Sequence, residues 1–357
     1  MKQNTNLGVD LQTGLGEEQN LKMDENVVVE FAKGITSEQM EAMFFNNVEL
    51  REPNYRLYQL NSRGKRYYYT FEGDEPVFYP SVTTMLSAVM PENKILTEWK
   101  LSLGKEKAEA YTMERANYGS FVHGQLARMM IAGKYNLDLV REELGKYCER
   151  NGLPDSFVDL HEEEAKADLV AFAKWMYDYD VKPLAVEISL RSELGYAGTI
   201  DLPCNMRLYS REDKKHSDDN TRINAICDYK TGKKGFHDDN AIQLELYRMM
   251  WNENFDMNID RIFNVAPKDW RGTVKKIPSY NFVEQTDNPV LNRIPAYLEL
   301  FRLMDDEDRK ITICSGEIDL SSGENKNVEV LTLSEMIKSH KQEDVAEEEE
   351  ISDSLFD

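Results

Sequence analysis

Apolar residues recur at every second position in some stretches of the chain and at every third or fourth in others, and these two periods mark its elements. Tyr55–Leu60 and Arg66–Phe71 read as strands joined by the turn sequence Asn61-Ser62-Arg63-Gly64. Pro80 and Ser81 then predict a capped helix over Val82–Val89. Residues 93–133 read mostly as helix, with Tyr118, Phe121, Val122, Leu126, Met129 and Met130 at helical spacing. A second helix, Leu160–Tyr179, carries Leu169, Phe172, Ala173 and Met176 on one face. Strands follow over Leu184–Leu190, Gly198–Met206 and Ile223–Thr231, with a charged loop over residues 207–222. Helix Asp239–Trp251, strand Arg261–Ala266, a further strand over Val274–Phe282 and helix Pro289–Leu303 complete the pattern. A small strand and helix are expected over Val328–Lys341.

Helix, three strands, helix, strand is an α/β order, with helices flanking a central sheet. The expected layout is a core over residues 80–305. Before it come a mobile lead (1–26), with few large apolar residues, and an extension with a hairpin (27–79), which also holds the apolar run Val27–Phe31 and a helical patch at Ser37–Asn46. A small C-terminal extension (306–342) and a disordered acidic tail (343–357) follow it.

Composition narrows the function classes. At 357 residues and 41% hydrophobic, the chain can bury a sizeable core. It has no apolar run long enough for a membrane span and no apolar signal core near Met1, so a cytoplasmic location is expected. Cys148, Cys204, Cys227 and Cys314 are scattered without a CxxC pair, which argues against a zinc ribbon and for reduced thiols. The net charge of −22 is concentrated in part in the tail, where Glu343, Asp344, Glu347, Glu348, Glu349, Glu350, Asp353 and Asp357 stand without a basic residue. The remainder is still acidic, so a nucleic acid would have to be held by a local basic lining.

The candidate chemistry sits in Ile223-Asn-Ala-Ile-Cys-Asp-Tyr-Lys-Thr-Gly232. Period-2 alternation puts Ile226, Asp228 and Lys230 on one face and Ala225, Cys227 and Tyr229 on the other. Both faces begin apolar, so the strand is expected at the centre of its sheet. A buried carboxylate and ammonium at its end require partners. Asp201 lies in a similar setting on the preceding strand, and adjacent strands would bring it beside Asp228. Two close carboxylates repel unless a cation joins them, and oxygen ligands suit Mg²⁺ or Mn²⁺. Taken alone, the DxK spacing more often marks a buried Asp–Lys salt bridge, with a chance Asp on the next strand.

Five elements taken together resemble the RecB-like branch of the PD-(D/E)XK nuclease superfamily. They are Tyr118-Gly-Ser-Phe-Val-His123, Val186-Glu187-Ile, Gly198-Thr-Ile-Asp201, Asp228-Tyr-Lys230 and Gln243-Leu-Glu-Leu-Tyr247, in the family's order. Tyr79-Pro-Ser-Val-Thr-Thr84 is also similar to a segment of mitochondrial genome-maintenance exonucleases and related phage nucleases. The resemblance implies a restriction-endonuclease-like core with a mixed central sheet. It also implies metal-dependent hydrolysis of DNA, acting on single-stranded ends in replication, recombination or repair.

In that family's terms Asp201 and Asp228 hold the metal with the Tyr229 carbonyl and His123. Lys230 positions or activates the water and stabilises charge at the phosphate, and Glu187 supports the site. By itself His123, beside Phe121, Val122 and Leu126, reads rather as a packed helix histidine, and Glu187 reads equally as an edge-strand carboxylate. Gln243 and Tyr247 would contact the DNA strand, although Gln and Tyr at that spacing more commonly form a helix face with the Tyr in the core, and Ser81, Thr83 and Thr84 would offer hydroxyls to a phosphate or simply cap the helix. Many members carry an iron–sulfur cluster with three cysteines after the Gln–Tyr helix. Here Cys314 alone follows Tyr247, so no cluster is expected. No GxxxxGK[ST] phosphate loop is present. Rival readings are a non-catalytic binding or scaffold protein that keeps the fold, and a structure-specific endonuclease.

Candidate DNA contacts are Arg63, Lys65 and Arg66 with Tyr67 and Tyr69, then Lys233 and Lys234, then Lys268, Trp270 and Arg271. Tyr68 is expected in the core. The tail tip, with Ile351 and Ser354-Leu355-Phe356, resembles peptides that dock on sliding clamps and the acidic tips of single-strand-binding proteins.

Overall fold

The computed structural model describes residues 50–62, 64–91, 94–210, 221–232, 236–268 and 278–304, and shorter stretches at 21–22, 27–31, 215–216, 312–318, 325–335 and 337–338. Ser37–Asn46, Arg63, Lys233, Lys234, Trp270, Arg271 and the acidic tail lie outside the described residues.

The chain is a mixed α/β protein. Its N-terminal part is a five-stranded antiparallel meander: β1 (Leu21–Lys22), β2 (Val27–Phe31), β3 (Tyr58–Ser62), β4 (Lys65–Glu72) and β5 (Glu75–Pro80). The expected hairpin is thus the middle of a larger sheet, and the expected mobile lead contributes β1. The sheet sends Tyr67 and Tyr69 to one face, against Leu60, Leu333 and Ile337, and Tyr68 to the other, against Leu57, Tyr79 and Ala197. All three tyrosines are buried. Stacking of bases on Tyr67 or Tyr69 is therefore excluded, because C-terminal apolar residues and neighbouring strands already cover those rings.

Helices α1 (Val82–Val89), α2 (Lys94–Leu103), α3 (Lys105–Ala132), α4 (Val140–Asn151) and α5 (Ser156–Asp178) follow. The expected single helix over 93–133 breaks at Gly104, whose φ of 82° is open to glycine at little cost. α4 was not among the expected elements, although Val140, Leu144, Tyr147 and Cys148 form its buried stripe.

The core sheet has the order β14-β13-β12-β9-β6, from β6 (Lys182–Pro183), β9 (Leu202–Arg207), β12 (Arg222–Tyr229), β13 (Arg261–Lys268) and β14 (Ser279–Glu284). β12 runs parallel to β13 and antiparallel to β9, so the sheet is mixed. One face buries Ala225, Cys227 and Tyr229 against Phe121, Leu126, Leu169, Phe172 and Trp175 of α3 and α5. The other buries Ile226 against α1 and against α6 (Asp238–Asn254), through Met85, Ile242, Leu246 and Met250. Each such fully buried side chain contributes roughly 1.5–3 kcal/mol by area, and burial on both faces is what confines Asp228 to a dry strand. α7 (Ile294–Leu303) packs beside α1.

The expected strands over 184–190 and 198–206 are both interrupted. β7 (Ile188–Arg191) pairs with β8 (Ala197–Ile200) as a separate antiparallel ribbon, and β8 gives way to β9 at Asp201. Residues 184–187 bend rather than pair as a strand. The loop over 207–222 contains a short ladder of β10 (Tyr209–Ser210) with β11 (Lys215–His216), and β15 (Thr312–Ile318) pairs with β16 (Asn325–Thr332). No helix among the described residues is long and apolar enough to cross a membrane.

Candidate functional site

The two interruptions meet. Glu187 has φ 49°, a left-handed conformation that costs a non-glycine residue roughly 1–2 kcal/mol. Its amide donates to the Asp201 carbonyl at 2.9 Å, and its side chain turns toward α3. There the Glu187 Oε1 lies 3.3 Å from the Nδ1 of His123, and the Asp201 Oδ2 lies 3.7 Å from the same nitrogen. The ligand atoms of His123, Glu187 and Asp201 all fall within 4.8 Å of one another. The His123 ring is further fixed edge-on to Tyr229 at 5.7 Å.

Asp201 belongs to the break between β8 and β9. Its Oδ2 accepts from the Tyr229 backbone amide at 2.8 Å, which ties it to the end of β12. Asp228 and Lys230 stand beside it. The Lys230 ammonium lies 2.9 Å from Asp228 Oδ1 and 2.8 Å from Oδ2. Asp228 Oδ2 also accepts from Asn264 Nδ2 at 2.9 Å. Thus the closest three-residue group pairs Glu187 with His123 and Asp201, while Asp228 is held by Lys230 and Asn264. Asn264 is a fully buried amide on β13 that pattern reading passed over. Its signal was present: it is the polar residue within the apolar run Ile262-Phe-Asn-Val-Ala266.

The electrostatics follow from crowding acids in a dry place. Burial pushes the Asp228 carboxyl up, Lys230 opposes this and Asp201 adds to it, for a pKa of about 6. Burial also raises Asp201, against the attraction of His123 and with the repulsion of Glu187. For His123 burial acts downward, but Asp201 and Glu187 outweigh it and lift the imidazole to about 9. Burial lowers Lys230, yet Asp228 and Asp201 leave it above its ordinary value, so it stays a cation at neutral pH.

The Gln–Tyr pair sits next to Lys230. Gln243 Oε1 is 3.4 Å from Lys230 Nζ, and Gln243 Nε2 donates to the Tyr247 hydroxyl at 2.8 Å. Tyr247 is itself buried, and its hydroxyl meets Gln243. Gly198 explains why the ring fits. A Cβ there would come within 2.7 Å of Tyr247 Cε1, far inside contact distance.

Of the three hydroxyls after Pro80, Ser81 is buried and caps α1 by accepting from the Thr84 amide at 3.0 Å. Thr84 exchanges hydrogen bonds with the Arg66 backbone. The cap occupies Ser81 and the Arg66 backbone occupies Thr84, while Thr83 is the exposed member, its hydroxyl 2.9 Å from Ser81 Oγ. Lys65, Arg66 and Lys268 are exposed. Cys204 and Cys227 lie buried with their sulfurs 3.9 Å apart, behind the site.

The donor set suits a divalent cation: two carboxylates and an imidazole converge, with a third carboxylate adjacent and no thiolate among the grouped donors. Compared with known proteins, the chain matches no family model and no curated sequence.

Proposed function

We propose that the chain is a divalent-metal-dependent nuclease of the RecB-like PD-(D/E)XK type, acting on the ends of single-stranded DNA. The observation that carries this reading is the convergence of His123, Glu187 and Asp201 within 4.8 Å, beside the Asp228–Lys230 pair. Three acids face Lys230 and a protonated His123, which leaves one negative charge in excess, and a divalent ion that displaced the His123 proton would balance it. Left-handed backbone at Glu187 supports a site under functional constraint.

In this reading His123, Glu187 and Asp201 hold the ion, with Asp228 and the Tyr229 carbonyl as the further expected ligands. Mn²⁺ accepts an imidazole beside carboxylates more readily than Mg²⁺. When bound, such an ion supplies Lewis-acid polarisation of a phosphate and a water of lowered pKa. The reaction is attack of water on phosphorus with cleavage of one P–O bond. Lys230 stays protonated, so it neutralises charge on the scissile phosphate and is not the base. Gln243 steadies Lys230 by accepting from its ammonium at 3.4 Å. Thr83, Lys65 and Arg66 are the described polar groups offered to the DNA backbone.

The test is degradation of end-labelled single-stranded DNA with Mn²⁺ or Mg²⁺, against EDTA and against Asp228→Ala. Loss of label from linear strands and none from circular strands is the expected result. Cleavage of circles would make it an endonuclease, and no metal-dependent cleavage would leave a binding or scaffold protein.

A further inference from the structure

A line of three side-chain amides runs from the surface to Asp228, and every hydrogen bond in it points the same way. It begins at a backbone group that cannot turn over: the Val290 amide donates to Asn288 Oδ1 at 3.1 Å, at the start of the 3-10 turn Pro289–Arg293. The other end of the Asn288 amide, Nδ2, donates to Gln285 Oε1 at 2.8 Å. Gln285 Nε2 in turn donates to Asn264 Oδ1 at 3.1 Å. Asn264 Nδ2 then donates to Asp228 Oδ2 at 2.9 Å. Gln285 is itself pinned, its backbone amide donating to the Ile262 carbonyl at 2.9 Å. Asn264 sits opposite Asp228 in the parallel ladder of β12 and β13.

Each amide could in isolation be rotated by half a turn, exchanging donor for acceptor. Here the fixed N–H of Val290 settles Asn288, Asn288 settles Gln285, and Gln285 settles Asn264. A reversed Asn264 would set its oxygen against the Asp228 carboxylate. Asn264 and Gln285 are both buried, so water does not restore a lost partner at either.

We propose that Asn264 is a positioning residue for Asp228, held in its donating orientation by Gln285 and Asn288. It fixes Oδ2 of the carboxylate, and with it the direction in which Asp228 would face a cation. The inference rests on the metal-centre reading above and adds to it a part of the molecule, β14 and the turn after it, that carries no ligand.

The test is calorimetric titration of the full chain with Mn²⁺, paired with its melting midpoint. Asn288→Asp keeps the acceptor for Val290 but replaces the donor to Gln285 with an acceptor. Gln285 must then turn to donate outward, Asn264 follows, and an oxygen faces Asp228. Mn²⁺ affinity is expected to fall roughly tenfold, the scale of lost support behind a metal ligand, with the midpoint lowered by a few degrees because an amide oxygen then meets a buried carboxylate. Charge alone predicts the opposite sign, because an added carboxylate attracts a cation. Gln285→Met, which cuts the line without adding charge, is expected to weaken Mn²⁺ binding to a similar degree. Affinity unchanged or increased in Asn288→Asp, together with unchanged affinity in Gln285→Met, overturns the proposal while the metal-centre reading stands. If the wild-type chain binds no Mn²⁺, that reading falls first, and the positioning role falls with it.

Discussion

Two helix histidines sit among acids on either side of α3, and they differ in what the acids do. His161, on α5, is 1% exposed; its Nδ1 lies 3.1 Å from Glu164 and its Nε2 3.4 Å from Glu114. Arg115 meets both oxygens of Glu164, at 3.1 and 2.9 Å, and the Tyr118 hydroxyl donates to Asp168 at 2.6 Å. Those carboxylates have partners supplied by the protein, in different directions. Around His123 the acids come from two chain breaks and point at one place, and among the described residues His123, Glu187 and Asp201 are the group close enough to share an ion. A histidine near carboxylates is therefore uninformative by itself. Convergence of acids on one place, only partly offset by His123 and Lys230, is what separates a candidate metal centre from a buried ion-pair network whose acids point apart.

The largest effect that tests the comparison is at Lys230. Lys230→Met should lower the turnover of end-labelled single strands by roughly 10²–10³-fold, as for removal of one preorganised charge-stabilising group. Single-turnover rates at saturating DNA are the measurement, and a loss under about threefold would remove Lys230 from the chemistry.

Next comes the histidine pair. His123→Ala should weaken Mn²⁺ binding by roughly 10–100-fold while leaving the melting midpoint near that of the parent. His161→Ala should do the reverse: Mn²⁺ affinity holds, and stability falls by about 2 kcal/mol from the cavity left between Tyr118 and Phe157. Denaturant melts and calorimetry on both variants read the two effects, and a swap of outcomes would reverse the assignment.

A smaller effect is expected behind the site. Gly198→Ala drives a methyl into the Tyr247 ring and should cost about 1–3 kcal/mol. Because Tyr247 steadies Gln243, turnover should fall too, and Tyr247→Phe, which keeps the ring and removes the hydroxyl, should lower turnover without the stability cost. A Gly198→Ala variant as stable and active as the parent would show that the ring is free to move.

The finest test is proton counting. With its pKa raised from 6.5 to about 9, His123 is charged in the metal-free protein at pH 7.5, and it must become neutral to bind a cation. Mn²⁺ binding at pH 7.5 should then release close to one proton, read by calorimetry in buffers of different ionisation enthalpy. Affinity should rise with pH until about 9 and level off above it. Asp228, at about 6, is already ionised at pH 7.5; below pH 6 it competes as well, and affinity should fall more steeply. Proton release near zero at pH 7.5 would place His123 outside the ligand set.

The sequence by itself determined the α/β order and the central strand with apolar residues on both faces that carries Asp228 and leads into Lys230. Those signals are local: alternation over Ile223–Tyr229 needs only the geometry of a strand. It did not yield α4, whose short stripe of Val140, Leu144, Tyr147 and Cys148 lies within a strongly charged segment. Nor did it yield the breaks at Glu187 and Asp201, because a bend between two half-strands leaves the alternation on each side intact. Tertiary structure alone decided at which histidine the acids converge, since both lie on helices beside aromatic residues and both have carboxylate neighbours. It alone decided that the tyrosines of β4 are covered and that Asn264, Gln285 and Asn288 form one line. Such relations join residues far apart in the chain, and no local period records the direction in which a side chain finds its partner.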